Sequence, residues 1–104
     1  MRITILDREA PLDCASRAAF EDRARLGLGT FSSQIVQLVL QATRSTVENG
    51  RSGAGLQISA HLRSGERVVV AGEWEGDPST LAAVTDRLCR AVRLKLQSTE
   101  TASR

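Results

Sequence analysis

The sequence predicts an α+β domain, with two helices packed on one face of a mixed four-stranded sheet in the order β-α-β-β-β-α. Three observations predict it. The 104 residues suit one hydrophobic core and leave no room for a second substantial domain. The middle of the chain alternates apolar and polar residues with a period of two. Helical patterns flank that alternating region, one before it and one after it.

The β-branched run Ile3-Thr4-Ile5 reads as a first strand, bounded by the charged Asp7-Arg8-Glu9. Pro11 and Asp13 then mark a helix start, continued by Ala15, Ala18, Ala19, Phe20, Ala24 and Leu26 as far as a Gly27-Leu28-Gly29 breaker. Leu12, Ala19 and Leu26 define its apolar face, which Ser16 and Arg23 interrupt; Arg17, Glu21, Asp22 and Arg25 lie outside. From Gln34 the second strand places Val36, Leu38, Leu40 and Ala42 on one face, with Gln37, Val39, Gln41 and Thr43 on the other. The turn-rich stretch Glu48 to Gly55 leads into a third strand, with Leu56, Ile58, Ala60 and Leu62 inward and Gln57, Ser59, His61 and Arg63 outward. After a Ser64-Gly65 turn, the fourth strand sends Val68, Val70 and Trp74 to the core and Arg67, Val69 and Glu73 to solvent. Asp77-Pro78 supplies an N-cap and a first-position proline for the last helix.

A helix between the first two strands requires a parallel crossover, whereas tight later turns require an antiparallel meander. The expected strand order is therefore 1-2-3-4, with both helices on one face and the other face open to water. One domain is expected over residues 1–97, with a frayed polar tail over 98–104.

Composition narrows the functional classes. With 41% hydrophobic and 25% charged residues the chain has an ordinary globular profile. Charge arrives too early after Met1 for a secretory core or membrane span, so a cytoplasmic protein is expected. Cys14 and Cys89 have neither metal-ligand spacing nor the density of a disulfide scaffold. His61, the only histidine, falls at an outward strand position without a foreseeable carboxylate or thiol partner. The loop from Gly50 to Gly55 lacks the Lys-Ser/Thr ending of a phosphate-binding loop and joins two strands, though Arg51 at its tip is a possible RNA contact. Phe20, Phe31 and Trp74 suit the core better than a base-stacking platform. No enzyme, no cofactor, no metal and no small-molecule substrate are expected.

The strongest functional signal is the last helix. Between Leu81 and Leu96, Leu81, Val84, Leu88, Ala91 and Val92 gather on one face, while Arg87, Arg90 and Arg93 fall roughly opposite, with Lys95 near them and Asp86 the only acid in that stretch. The net charge is only +2, but Glu66, Glu73, Glu75 and Asp77 precede this helix, so the C-terminal half is electrically polarised. Thirteen of the 14 basic residues are arginine, the side chain suited to bidentate phosphate recognition. The same face could simply be a solvated one that keeps the domain soluble.

Several segments together resemble a known family. They are Leu28-Gly29-Thr30-Phe31, the strand Ile35 to Ala42, the Asn49-Gly50 loop followed by Gly53, and Glu73-Trp74-Glu75-Gly76-Asp77. The last helix adds Leu81-Ala82-Ala83-Val84 and Asp86-Arg87-Leu88-Cys89-Arg90. Over nearly its whole length the chain resembles the bacterial ribosome hibernation-promoting factor and ribosome-associated inhibitor family, also called sigma-54 modulation proteins, in its short form. The resemblance implies a non-enzymatic, rRNA-binding factor that occupies the small-subunit decoding channel and inhibits translation. By the same resemblance Arg87, Arg90, Arg93 and Lys95 of the last helix, and Arg23 and Arg25 of the first, would hold rRNA phosphates. The first helix departs from the family in offsetting its arginines with Asp13, Glu21 and Asp22, and the overall charge is low for a ribosome binder. Two other readings remain: a relative that uses the open sheet face, with Val39, Gln41, His61 and Val69, to dimerise or bind a protein, and a small thiol enzyme built on Cys14 or Cys89.

Overall fold

Ile3 and Ile5 alternate with Thr4 in β1 (Arg2–Leu6), and both isoleucines pack against the core. β1 lies parallel to β2 (Ile35–Thr46), with Ile3 opposite Leu38 and Ile5 opposite Leu40. β3 (Ser52–Leu62) and β4 (Arg67–Trp74) complete an antiparallel meander, giving one sheet in the order β1-β2-β3-β4. Two helices, α1 (Cys14–Leu28) and α2 (Pro78–Ala102), stand between β1 and β2 and after β4 in the chain. This is the expected α+β arrangement. The computed structural model describes residues 1–8, 10–46, 52–74 and 77–102.

Leu38, Leu40, Leu56, Ile58, Ala60 and Leu62 line the helix-facing side of the sheet and are all buried. Against them α2 sets Leu81, Val84, Leu88, Val92 and Leu96, the i, i+3, i+4, i+7 pattern of an amphipathic helix. Thr85 is buried in the same stripe because its hydroxyl donates to the Leu81 carbonyl at 2.7 Å. Phe20 and Trp74 are core residues as expected, and the half-buried Phe31 packs against that core. The Trp74 indole N–H donates to the Asp77 carbonyl at 3.0 Å, which ties the end of β4 to the start of α2.

Five details depart from the sequence reading. Val36 is not a core residue. A bulge between Ile35 and Gln37 inserts one extra residue, so Ile35 turns inward at 2% exposure and Val36 outward at 53%. The buried face of α1 is Ser16, Phe20, Ala24 and Leu28, continuing the spacing of four from Leu12, so Ser16 belongs to the face it was expected to interrupt. Leu26, expected inside, is 83% exposed, because it lies roughly 200° around α1 from the buried Ala24 and Leu28. The Gly27-Leu28-Gly29 segment does not break the chain abruptly: α1 runs through Leu28, Gly29 keeps right-handed helical angles, and a 3-10 segment continues over Gly29–Gln34. Finally, the β2–β3 ladder extends to Thr46 opposite Ser52, so part of the turn-rich stretch is strand. The expected hairpin tip, with Asn49, Gly50 and Arg51, lies outside the described residues, as do Glu75 and Gly76.

Both helix starts follow their caps. Asp13 accepts the Ser16 amide at 2.7 Å, and Asp77 accepts the Thr80 amide at 3.0 Å and the Ser79 and Thr80 hydroxyls at 2.7 Å. Gly65, at φ 91°, makes the β3–β4 turn that side chains with a Cβ rarely adopt. α2 continues to Ala102, and Leu96 is the last buried residue among those described. Among the described residues no helix is long and apolar enough to cross a membrane.

Candidate nucleic-acid interface

The basic residues of α2 do not form one row, because six residues of helix turn through roughly 600° and leave Arg87 and Arg93 about 120° apart. Tertiary packing then gives each flank a different neighbour. Arg93 leans toward α1, where its Nε and one terminal nitrogen donate to the Gly27 carbonyl at 3.1 and 3.0 Å. Arg87 leans toward the sheet edge and reaches the Ala71 carbonyl at 3.5 Å. Arg90 points between these two directions, into solvent.

α1 and α2 approach closely where Gly27 meets Cys89. A methyl group at Gly27 would come within 2.5 Å of the Cys89 sulfur, so the absence of a side chain there sets the helix separation. Burial pushes the Cys89 thiol pKa up, which disfavours the thiolate and argues against the thiol-enzyme reading. Cys14 is exposed at the start of α1, far along that helix from Cys89.

Above this contact the helices leave an open groove of about 310 Å³, lined by Arg23, Leu26, Gly27, Asp86, Cys89, Arg90 and Arg93. Three of the six predicted phosphate-holding residues therefore converge: Arg23, Arg90 and Arg93. The other three do not join them. Arg25 sits two residues past Arg23, roughly 200° around α1, and is exposed outside the groove. Lys95 pairs with Glu66 at 2.9 Å over the β3–β4 turn, and Arg87 guards the β4 edge.

The groove's electrostatics favour an anion despite its one acid. Arg23 lies 3.6 Å from Asp86, but both side chains are about half exposed at 54% and 50%, so this pair contributes little and can exchange partners. Arg93 bonds to a carbonyl, which orients the guanidinium without cancelling its charge, and leaves donors facing the groove. It also satisfies a carbonyl in the last turn of α1, where a cation suits the helix dipole. Among the described residues neither Arg90 nor Arg25 bonds to a protein group. Arginine forks arranged in this way can donate to phosphate oxygens.

The chain matches no protein-family model and no curated protein. The arginine groove is thus the feature that geometry itself supplies. Its lining was only partly foreseeable: Arg23, Arg90 and Arg93 are read from charge pattern, whereas Gly27 reads as a helix breaker until its contact with Cys89 is known.

Among the described residues no element covers the opposite sheet face. Thr4, Val39, Ser59 and Val69 run across its centre in register, and no charged residue stands among them. His61 lies on this face beside Gln37 and Arg67 in the ladder, and Gln37 donates to the Thr4 hydroxyl at 2.9 Å. Among the described residues no cluster of three or more histidine, cysteine or acidic side chains could hold a metal ion.

Proposed function

We propose that this chain is a non-enzymatic factor that binds the rRNA of the small ribosomal subunit through the α1–α2 groove and thereby inhibits translation. The observation that carries the proposal is the convergence of Arg23, Arg90 and Arg93 on one open groove. The family resemblance supplies the ribosome as the source of phosphate. Phosphate contacts orient a protein on its target without reading sequence, so the shape of the whole domain must supply selectivity. Exposed internal pairs such as Arg23 with Asp86 are weak enough to yield to a phosphate, which offers more charge and more acceptor oxygens.

Sucrose-gradient sedimentation with ribosomes tests the reading. Wild-type protein is expected in the 30S or 70S fractions at low salt, with log affinity falling against log salt at a slope of roughly −2 to −4 for three or four phosphates. A variant with Arg23, Arg90 and Arg93 all replaced by Glu is expected to stay at the top of the gradient. Equal retention of both proteins would overturn the groove as the binding surface.

A further inference from the structure

β4 is an edge strand, and its ladder determines which of its backbone groups are free. Leu62 donates to the Glu66 carbonyl at 2.9 Å across the turn, so residues opposite each other at Leu62–Glu66 form a hydrogen-bonded pair. In an antiparallel ladder such pairs recur every second residue, which assigns Val68, Val70 and Gly72 to bonds with β3. Arg67, Val69, Ala71 and Glu73 consequently turn their N–H and C=O groups away from the sheet. The Arg87 contact to the Ala71 carbonyl agrees with this parity.

This edge lacks the usual protections. It holds eight residues, has no proline, lysine or bulge, and leaves Val69 43% exposed. Among the described residues, Arg87 is exposed and donates to the outward Ala71 carbonyl at 3.5 Å.

The residue pattern along the edge is complementary to itself. Turned antiparallel about Val70, the strand sets Arg67 opposite Glu73 of a second strand, Val69 opposite Ala71, and Glu73 opposite Arg67. The pairs Arg67–Glu73 and Val69–Ala71 join residues whose backbone groups point outward and so can exchange hydrogen bonds, while Val68–Gly72 and Val70–Val70 fall at the alternating non-bonded positions. A slip of two residues sets Arg67 against Ala71 and leaves both charges unmatched. Within the chain, neither Arg67 nor Glu73 has a partner among the described residues.

We propose that β4 pairs antiparallel with β4 of a second copy of this chain, joining two sheets edge to edge about a two-fold axis at Val70. Two copies are related by an isologous contact, as a closed dimer requires. The contact is small, so the dimer is a reversible one governed by concentration. It runs along the outer edge of the sheet, where Arg67, Val69 and Glu73 border the open face, and leaves the centre of that face and the arginine groove free, so it stands independently of the ribosomal reading.

Sedimentation equilibrium of the full chain across the micromolar range tests the proposal. Wild type is expected to show a reversible monomer–dimer equilibrium. Arg67→Glu and Glu73→Arg are each expected to weaken it by about tenfold or more, since a two-fold contact doubles every charge reversal. The double exchange, Arg67→Glu with Glu73→Arg, is expected to restore it. Val69→Pro removes an outward N–H and leaves the β3 ladder intact, so it is expected to abolish association without loss of the far-ultraviolet circular dichroism signal. A monomer at all concentrations would overturn the proposal, as would a dimer that ignores the charge exchange. A dimer lost in Val39→Lys yet unaffected in Arg67→Glu would place the contact on the open face instead.

Discussion

Asp77 links a single carboxylate to the orientation of a whole helix. The Thr80 hydroxyl, the Ser79 hydroxyl and the Thr80 amide hold its pKa down to about 2, below the ordinary value of 3.8. A depressed carboxylate stabilises the fold above its unfolded pKa, and that contribution disappears as pH falls through the folded one. The capping term is therefore complete above about pH 5 and lost between roughly pH 4 and 2. Asp13, held down chiefly by the Ser16 amide, and Asp7, held down by the Leu12 amide and Arg17, act in the same direction. Thermal unfolding followed against pH is expected to show a falling Tm over that acid window, with a shallower fall in Asp77→Asn, which keeps an acceptor but cannot titrate there. Asp86 offers a second test at this scale. Asp86→Asn removes the acid from the groove and releases Arg23, so RNA affinity at low salt is expected to rise, with a log–log salt slope steeper by about one.

At the scale of elements, the β2 bulge decides which of two adjacent β-branched residues supports the core. Ile35 is fully enclosed, so Ile35→Ala is expected to cost about 2–5 kcal/mol in urea unfolding. Val36→Thr, one residue on, is expected to stay within about 0.5 kcal/mol of wild type. Strict alternation through Val36, Leu38, Leu40 and Ala42 gives the opposite ranking, and it is right from Leu38 onward. An inserted residue is invisible to periodicity because it changes phase without changing composition. The first helix shows the same kind of gap. Its existence and N-cap are legible in Asp13 and the alanine-rich run, but Leu26 stands outside and Ser16 inside because the close approach at Gly27 and Cys89 governs which row is covered. The last helix presents no such ambiguity: its leucines and valines repeat strongly enough that packing and pattern agree.

For the molecule as a whole, one groove holds both a stabilising contact and the proposed anion site. Arg93 holds the C-terminal turn of α1, whereas Arg90 holds nothing in the protein. Arg90→Glu is therefore expected to weaken ribosome association while leaving the Tm unchanged. Arg93→Ala is expected to weaken association and also to cost about 1 kcal/mol of stability, measured by denaturant unfolding. The modest net charge of +2 is compatible with a local anion site because three arginines are gathered in the groove against the single Asp86, while other acids lie on caps, turns and the β4 edge.

Local pattern alone determined the order of elements, the parallel start and antiparallel end of the sheet, both helix caps and the buried stripe of α2. These follow from short-range rules, since side-chain periodicity, turn residues and caps act within a few positions of one another. Tertiary structure alone decided the phase of β2, the covered row of α1, and the division of six basic residues into a groove of three and three dispersed neighbours. Each of those depends on the distance between chain segments far apart in sequence, from Gly27 to Arg93 or from Ala71 to Arg87, and no local rule specifies that distance.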